Sequence, residues 1–115
     1  MKIEFLIVAD AVQVADGKFF VLGGGWDMLR AQMFPVNMQI GVGLAVLVEW
    51  DEAGTGSEYP ATVTVSDEGG VPVFPPWQVK FQVGKPDGMP KGSAHRVPIA
   101  VNGLLPIPRE GRYFV

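Results

Sequence analysis

The 115-residue sequence contains no cysteine, a single histidine and no long unbroken hydrophobic run. Without cysteine there is no disulfide, no thiolate metal site and no thiol nucleophile. Zinc is excluded with them, because His95 alone cannot supply the nitrogen and sulfur ligands that a zinc site takes. No metal and no cofactor is therefore expected. The lack of cysteine fits a reducing compartment, and a cytoplasmic location is the expectation. Charge is scarce as well, with 9 basic against 12 acidic residues and a net charge of -3. Such a surface has no general attraction for phosphate backbones or anionic lipid, so neither a nucleic-acid nor a membrane partner is expected. The longest stretch without a charge, Ala31 to Val48, contains Gln32, Pro35, Asn37 and Gln39, which leaves its apolar part too short to span a bilayer. The apolar run after Met1-Lys2 is interrupted by Glu4, closed by Asp10 and alternates as a strand does, unlike a signal peptide.

What is abundant is glycine (15) and proline (10), spread along the chain between short apolar runs. That punctuation predicts an all-β, mostly antiparallel domain with little or no helix. With 48% hydrophobic residues in 12.4 kDa, one domain over 1–115 can bury its own core. Lys2 to Val8 reads as a strand apolar on both sides. Ala11 to Val14 and Lys18 to Leu22 flank Asp16-Gly17, a dipeptide suited to the positive φ angles of a type I′ hairpin turn. Gly23-Gly24-Gly25 then redirects the chain and swings Trp26 toward the core. The glycines are no phosphate loop, because Trp26-Asp27-Met28 does not open a helix. Trp26 to Arg30 reads as an edge strand, or Met28 to Phe34 as one helical turn before Pro35.

The run from Val36 to Trp50 puts Met38, Ile40, Val42, Leu44, Val46, Val48 and Trp50 on one face, which must be core. Gln39, Gly41, Gly43, Ala45, Leu47 and Glu49 occupy the other. Gly41, Gly43 and Ala45 make that face nearly smooth. Either a large aromatic from a neighbouring strand lies over the glycines, or the strip Gln39, Gly41, Gly43, Ala45, with Trp26, is a contact surface for a second subunit. A loop from Asp51 to Glu58 follows. Strands are expected from Ala61 to Ser66, Val71 to Phe74, Trp77 to Val83 and Val97 to Val101, with Leu104 to Pro108 an extended connection. Arg112 to Val115 begins a strand and stops inside it. Either another chain closes that edge or a final strand is lacking.

Several segments resemble a small bacterial and phage-borne family known only as a domain of unknown function. The resemblance rests on Ala9-Asp10-Ala11, Gln13-Val14, Asp16-Gly17-Lys18 and Leu22-Gly23-Gly24-Gly25-Trp26. Glu49-Trp50-Asp51-Glu52-Ala53 and the loop Val83-Gly84-Lys85-Pro86 with Gly88-Met89-Pro90 are similar too, as are Asn102, Pro106, Pro108 and Gly111-Arg112-Tyr113. It implies a compact Greek-key β-sandwich with no known activity. Gly111-Arg112-Tyr113 also resembles the tyrosine corner of immunoglobulin-like sandwiches, whose hydroxyl bonds back to the backbone. Tyr113 is accordingly expected to anchor a strand end.

No constellation points to catalysis. His95 has Ser93 and Arg96 nearby in sequence but no nucleophile elbow, so it reads as a surface loop histidine. Asp10, Asp16 and Asp27, or Asp51 with Glu52, offer oxygens to calcium, yet no Asp-x-Asp-x-Asp run exists. Trp50 and Trp77 fall in register with core residues of their strands. The expected function is a non-catalytic structural or protein-interaction domain, self-associating or bound to another protein. The alternative is a small-ligand module for carbohydrate or calcium, using the loops near Trp26/Asp27 and Asp51/Glu52.

Overall fold

The computed structural model describes residues 1–54 and 56–115; the predicted Asp51 to Glu58 loop includes Thr55, which lies outside the described residues. All elements are strands: β1 (Lys2–Ala15), β2 (Lys18–Gly24), β3 (Val36–Val48), β4 (Glu58–Val63), β5 (Ser66–Asp67), β6 (Trp77–Gln82), β7 (His95–Ile107) and β8 (Tyr113–Phe114). Among the described residues there is no helix, and every strand pairing is antiparallel. A four-stranded sheet runs in the order β2-β1-β3-β7, and two small sheets pair β4 with β6 and β5 with β8.

The hairpin forms where its turn chemistry places it. Ala15 pairs with Lys18, and Asp16 and Gly17 have φ of 52° and 69°, the two positive values that a type I′ turn needs. β1 serves two partners in succession. Its first half pairs with β3, from Lys2↔Leu47 to Ala9↔Gly41, with a register irregularity between Ile3 and Phe5. Its second half pairs with β2, from Ala9↔Gly24 to Ala15↔Lys18.

β3 is the spine. Its even-numbered face packs against β4 and β6 in two clusters. Ile40 and Val42 meet Val63, Val65, Val101, Leu105 and Ile107, while Leu44, Val46 and Val48 meet Val83, Ile99 and Ala53. Burying an aliphatic side chain of this size stabilises by about 1.5–3 kcal/mol, so this face is where the fold is held together. β3 pairs with β7 along its whole length, from Val36↔Ile107 to Val48↔His95.

Five sequence expectations change here. The strand expected from Ala61 to Ser66 divides at Thr64 and Val65 into β4 and β5, which lie in different sheets. Trp26 to Arg30 is not a strand and Met28 to Phe34 is not a helical turn; the whole segment is bends and irregular chain. Leu104 to Ile107 belongs to β7 instead of being a connection, because Leu105 and Ile107 alternate into the core. Val71 to Phe74 makes only an isolated bridge between Pro72 and Ser66. Trp50 lies past the end of β3, in a turn closed by Ala53 N–H bonds to the Glu49 and Trp50 carbonyls. Trp77, by contrast, packs on the core and lies over Gly103.

Candidate functional site

The smooth strip of β3 lies inside the protein. Gly41, Gly43 and Ala45 are buried, and the β1–β2 hairpin folds across them. A Cβ on Gly43 would meet Val12 Cγ1 at 3.1 Å and Phe19 Cε1 at 3.3 Å, and one on Gly41 would fall 2.7 Å from the Val12 backbone nitrogen. Glycine is needed because backbone occupies the space that a side chain would fill. Asn102 fastens the hairpin down: its Oδ1 accepts from Val12 N–H at 2.9 Å, and its Nδ2 donates to the Val12 carbonyl at 2.7 Å. Of the proposed contact residues Gln39 alone is exposed, and the chain's own hairpin covers the glycines. The reading in which an aromatic lies over the glycines matches Phe19.

Trp26 is half-buried and packs against the Ile40–Val42 cluster, with its Nε1 buried and unpartnered among the described residues. It lines an open groove of about 810 Å³ together with Leu6, Met28, Leu29, Phe34 and Phe114. Asp27 lies on the same groove, whereas Asp51 and Glu52 do not. Glu52 instead accepts from the N-terminal ammonium and from Glu49 N–H, which holds its carboxyl below the usual carboxylate range. The Lys85 ammonium sits 3.7 Å above the Trp50 ring. Among the described residues no three carboxylate or histidine side chains gather as a metal site would require.

His95 starts β7 opposite Val48 and is half-buried, and the Ser93 hydroxyl donates to the Pro90 carbonyl at 2.6 Å. A smaller hollow of about 390 Å³ is lined by Asp67, Arg109, Arg112 and Tyr113. Asp67 accepts from Val71 and Gly69 N–H and from Arg109, and those bonds hold its carboxyl low, that from Val71 first. The Tyr113 hydroxyl donates to the Arg109 carbonyl at 2.6 Å, the strand-end anchor that the sequence suggested. Tyr113 and Phe114 pair with Asp67 and Ser66, so this last segment finds a partner within the chain.

One surface escaped the sequence reading. Phe20 and Leu22 of β2 are 54% and 70% exposed, and Val21 beside them is exposed as well. β2 pairs with β1 on one side only. The apolar alternation of the hairpin was visible in sequence, but which strand would be left at the sheet edge was not.

These features define an all-β antiparallel domain with exposed apolar side chains on an open strand edge and around one groove. Residues 4–115 match the family of unknown function DUF6941, and the chain belongs to that family. No curated protein and no solved structure matches it. No helix among the described residues is long and apolar enough to cross a membrane.

Proposed function

We propose that this domain is a non-catalytic protein-interaction module that associates with copies of itself. The observation behind this reading is the amount of large apolar surface left in water, on β2, on the first half of β1 and around the Trp26 groove. Leu6, Met28, Leu29, Phe34, Phe114 and Val115, which all line the groove, together expose the equivalent of about three large side chains. That is on the order of 600 Å², the upper end of what a monomer usually shows in one patch. The finer architecture belongs to the same proposal: packing of β4–β6 on the β3–β7 face and the Tyr113 bond support an immunoglobulin-like Greek-key sandwich.

Sedimentation velocity across about 5 to 500 µM, the range in which weak interfaces form, tests it. The weight-average mass is expected to rise with concentration above the 12.4 kDa monomer. A flat monomer value throughout overturns the reading.

The groove supports a second one, a carbohydrate-binding module stacking a sugar on Trp26, since its volume is that of a small-molecule site. A thermal-shift screen with glycans decides it, because a ligand of the native state must raise Tm. No shift removes it.

A further inference from the structure

The free edges of the four-stranded sheet differ in how they are guarded. β7 carries Pro98 and Pro106, which lack the N–H that an added strand would need. The first half of β1 is interrupted by its irregularity between Ile3 and Phe5 and carries Lys2 and Glu4. β2 has no proline or bulge there, and its one charge, Lys18, stands at the end beside the turn. From Lys18 to Leu22 it reads Lys-Phe-Phe-Val-Leu with one side unpaired.

The turn determines which backbone groups that side presents. In a two-residue hairpin Ala15 and Lys18 exchange hydrogen bonds, so by alternation Phe20 and Leu22 also address β1. The N–H and C=O groups of Phe19 and Val21 then point outward. Gly23, with φ of 61°, leaves the extended conformation, so the regular edge is Lys18 to Leu22 and its centre is Phe20.

We infer that this edge pairs antiparallel with the same edge of a second copy, about a two-fold axis at Phe20. The inference rests on the self-association reading above and names its surface. In this register Phe20 faces Phe20 of the partner subunit, and Phe19 exchanges both backbone bonds with the partner's Val21. Symmetry repeats that pair, so four backbone bonds form. Lys18 falls opposite the partner's Leu22, one residue from Gly23. Asp10 folds over that glycine, its carboxylate occupying the place where a Cβ would stand. Among the described residues neither Lys18 nor Asp10 has an ion pair within its own chain. Lys18 shares a sheet face with the partner's Leu22, so its apolar stem lies on that side chain, and with Phe20 on Phe20 no like charges stand opposite one another along the ladder, a cross-strand match that favours a second copy as the occupant.

Phe20, Val21 and Leu22 supply on the order of 300 Å² per subunit, against about 800 Å² for a standard interface. The dimer is accordingly weak, with a Kd on the order of 10–100 µM.

The cysteine-free chain makes the register testable, since Phe20→Cys introduces the only thiol. Facing residues of a non-hydrogen-bonded pair have Cα atoms about 4.5 Å apart, within disulfide range. Leu22→Cys would place its two thiols four residues apart along the ladder, about 13 Å, beyond reach. Mild oxidation at about 200 µM is expected to link Phe20→Cys into a covalent dimer roughly tenfold faster than Leu22→Cys. Phe20→Glu, which sets two carboxylates face to face at an exposed position, is expected to fold and to sediment as a monomer where the unmodified protein is heavier. If the unmodified protein associates but the two cysteine variants crosslink equally or not at all, this edge is the wrong one and self-association stands. A monomer at every concentration removes both.

Discussion

β7 and β2 close the four-stranded sheet at opposite ends, and both are rich in large apolar residues, yet only one is committed to the interior. β7 sends Val101, Leu105 and Ile107 into the core beneath β3, and its two prolines guard the outer side. β2 seats Phe19 on Gly43 and leaves Phe20, Val21 and Leu22 in water. The difference lies in what packs above each strand. The β4–β6 pair covers the β7 side, and nothing equivalent among the described residues covers β2. Apolar content alone does not tell a core strand from a docking strand; the number of layers over it does.

Gly41→Val tests that contrast most severely, because the β2 edge is held in place only if the hairpin stays seated on β3. The added Cβ would fall 2.5 Å from Asn102 Oδ1, 2.7 Å from Val12 N and 2.9 Å from the Ala11 carbonyl carbon. Two of those atoms are backbone and cannot rotate away. Overpacking of this kind costs about 3 kcal/mol, and the Asn102–Val12 bonds go with it. The urea midpoint should drop accordingly. An unchanged midpoint would mean that the hairpin rides loosely on β3 and that the β2 edge is not fixed in the sheet.

A smaller effect is expected at the tie between the first half of β1 and β7. Arg96 of β7 forks onto both carboxylate oxygens of Glu4, with Nη2 at 2.8 Å, and these hydrogen bonds hold Glu4 below its ordinary value and raise Arg96. Because the folded-state value is the lower one, Glu4 binds protons more readily in the unfolded chain. Its contribution is complete above the ordinary glutamate value of about 4.3 and is lost as pH falls through the lower folded value. Urea midpoints should therefore decline from pH 5 toward pH 2, and Glu4→Gln should shallow that decline. The remaining slope belongs to Asp67 and Glu52, which are lowered in the same sense. An identical slope in Glu4→Gln would show that the β1–β7 tie is not formed in solution.

How much of this was legible in sequence follows from the range of each interaction. The Asp16-Gly17 turn and the core face of β3 are written locally, in backbone preference and in period-two alternation, and both stand in the fold. Trp50 kept that alternation on paper, but the turn at Glu49 to Ala53 ends the strand two residues earlier. The glycines of β3 announced a close approach, with the choice between an aromatic of a neighbouring strand and a second subunit left open. Asn102, 90 residues from Val12 in the chain, ties the hairpin over those glycines through two bonds that leave no trace in spacing or composition. The open edge was equally hidden, since it is a property of strand order.

The smallest expected effect is the most telling for the comparison, because it sets one leucine against another. Leu105 on β7 is 5% exposed, and Leu105→Ala should cost about 2–5 kcal/mol through lost burial and the cavity left behind. Leu22 on β2 sits in water, so Leu22→Lys should change the unfolding free energy by no more than about 0.5 kcal/mol. Measured at about 5 µM, below the expected Kd, that near-neutrality reflects the monomer alone. At several hundred micromolar the same lysine falls against Lys18 of the partner subunit, and the mass rise seen for the unmodified protein should disappear. If Leu22→Lys instead lowers the dilute urea midpoint as far as Leu105→Ala does, β2 is covered within its own chain and its edge is not free to meet another.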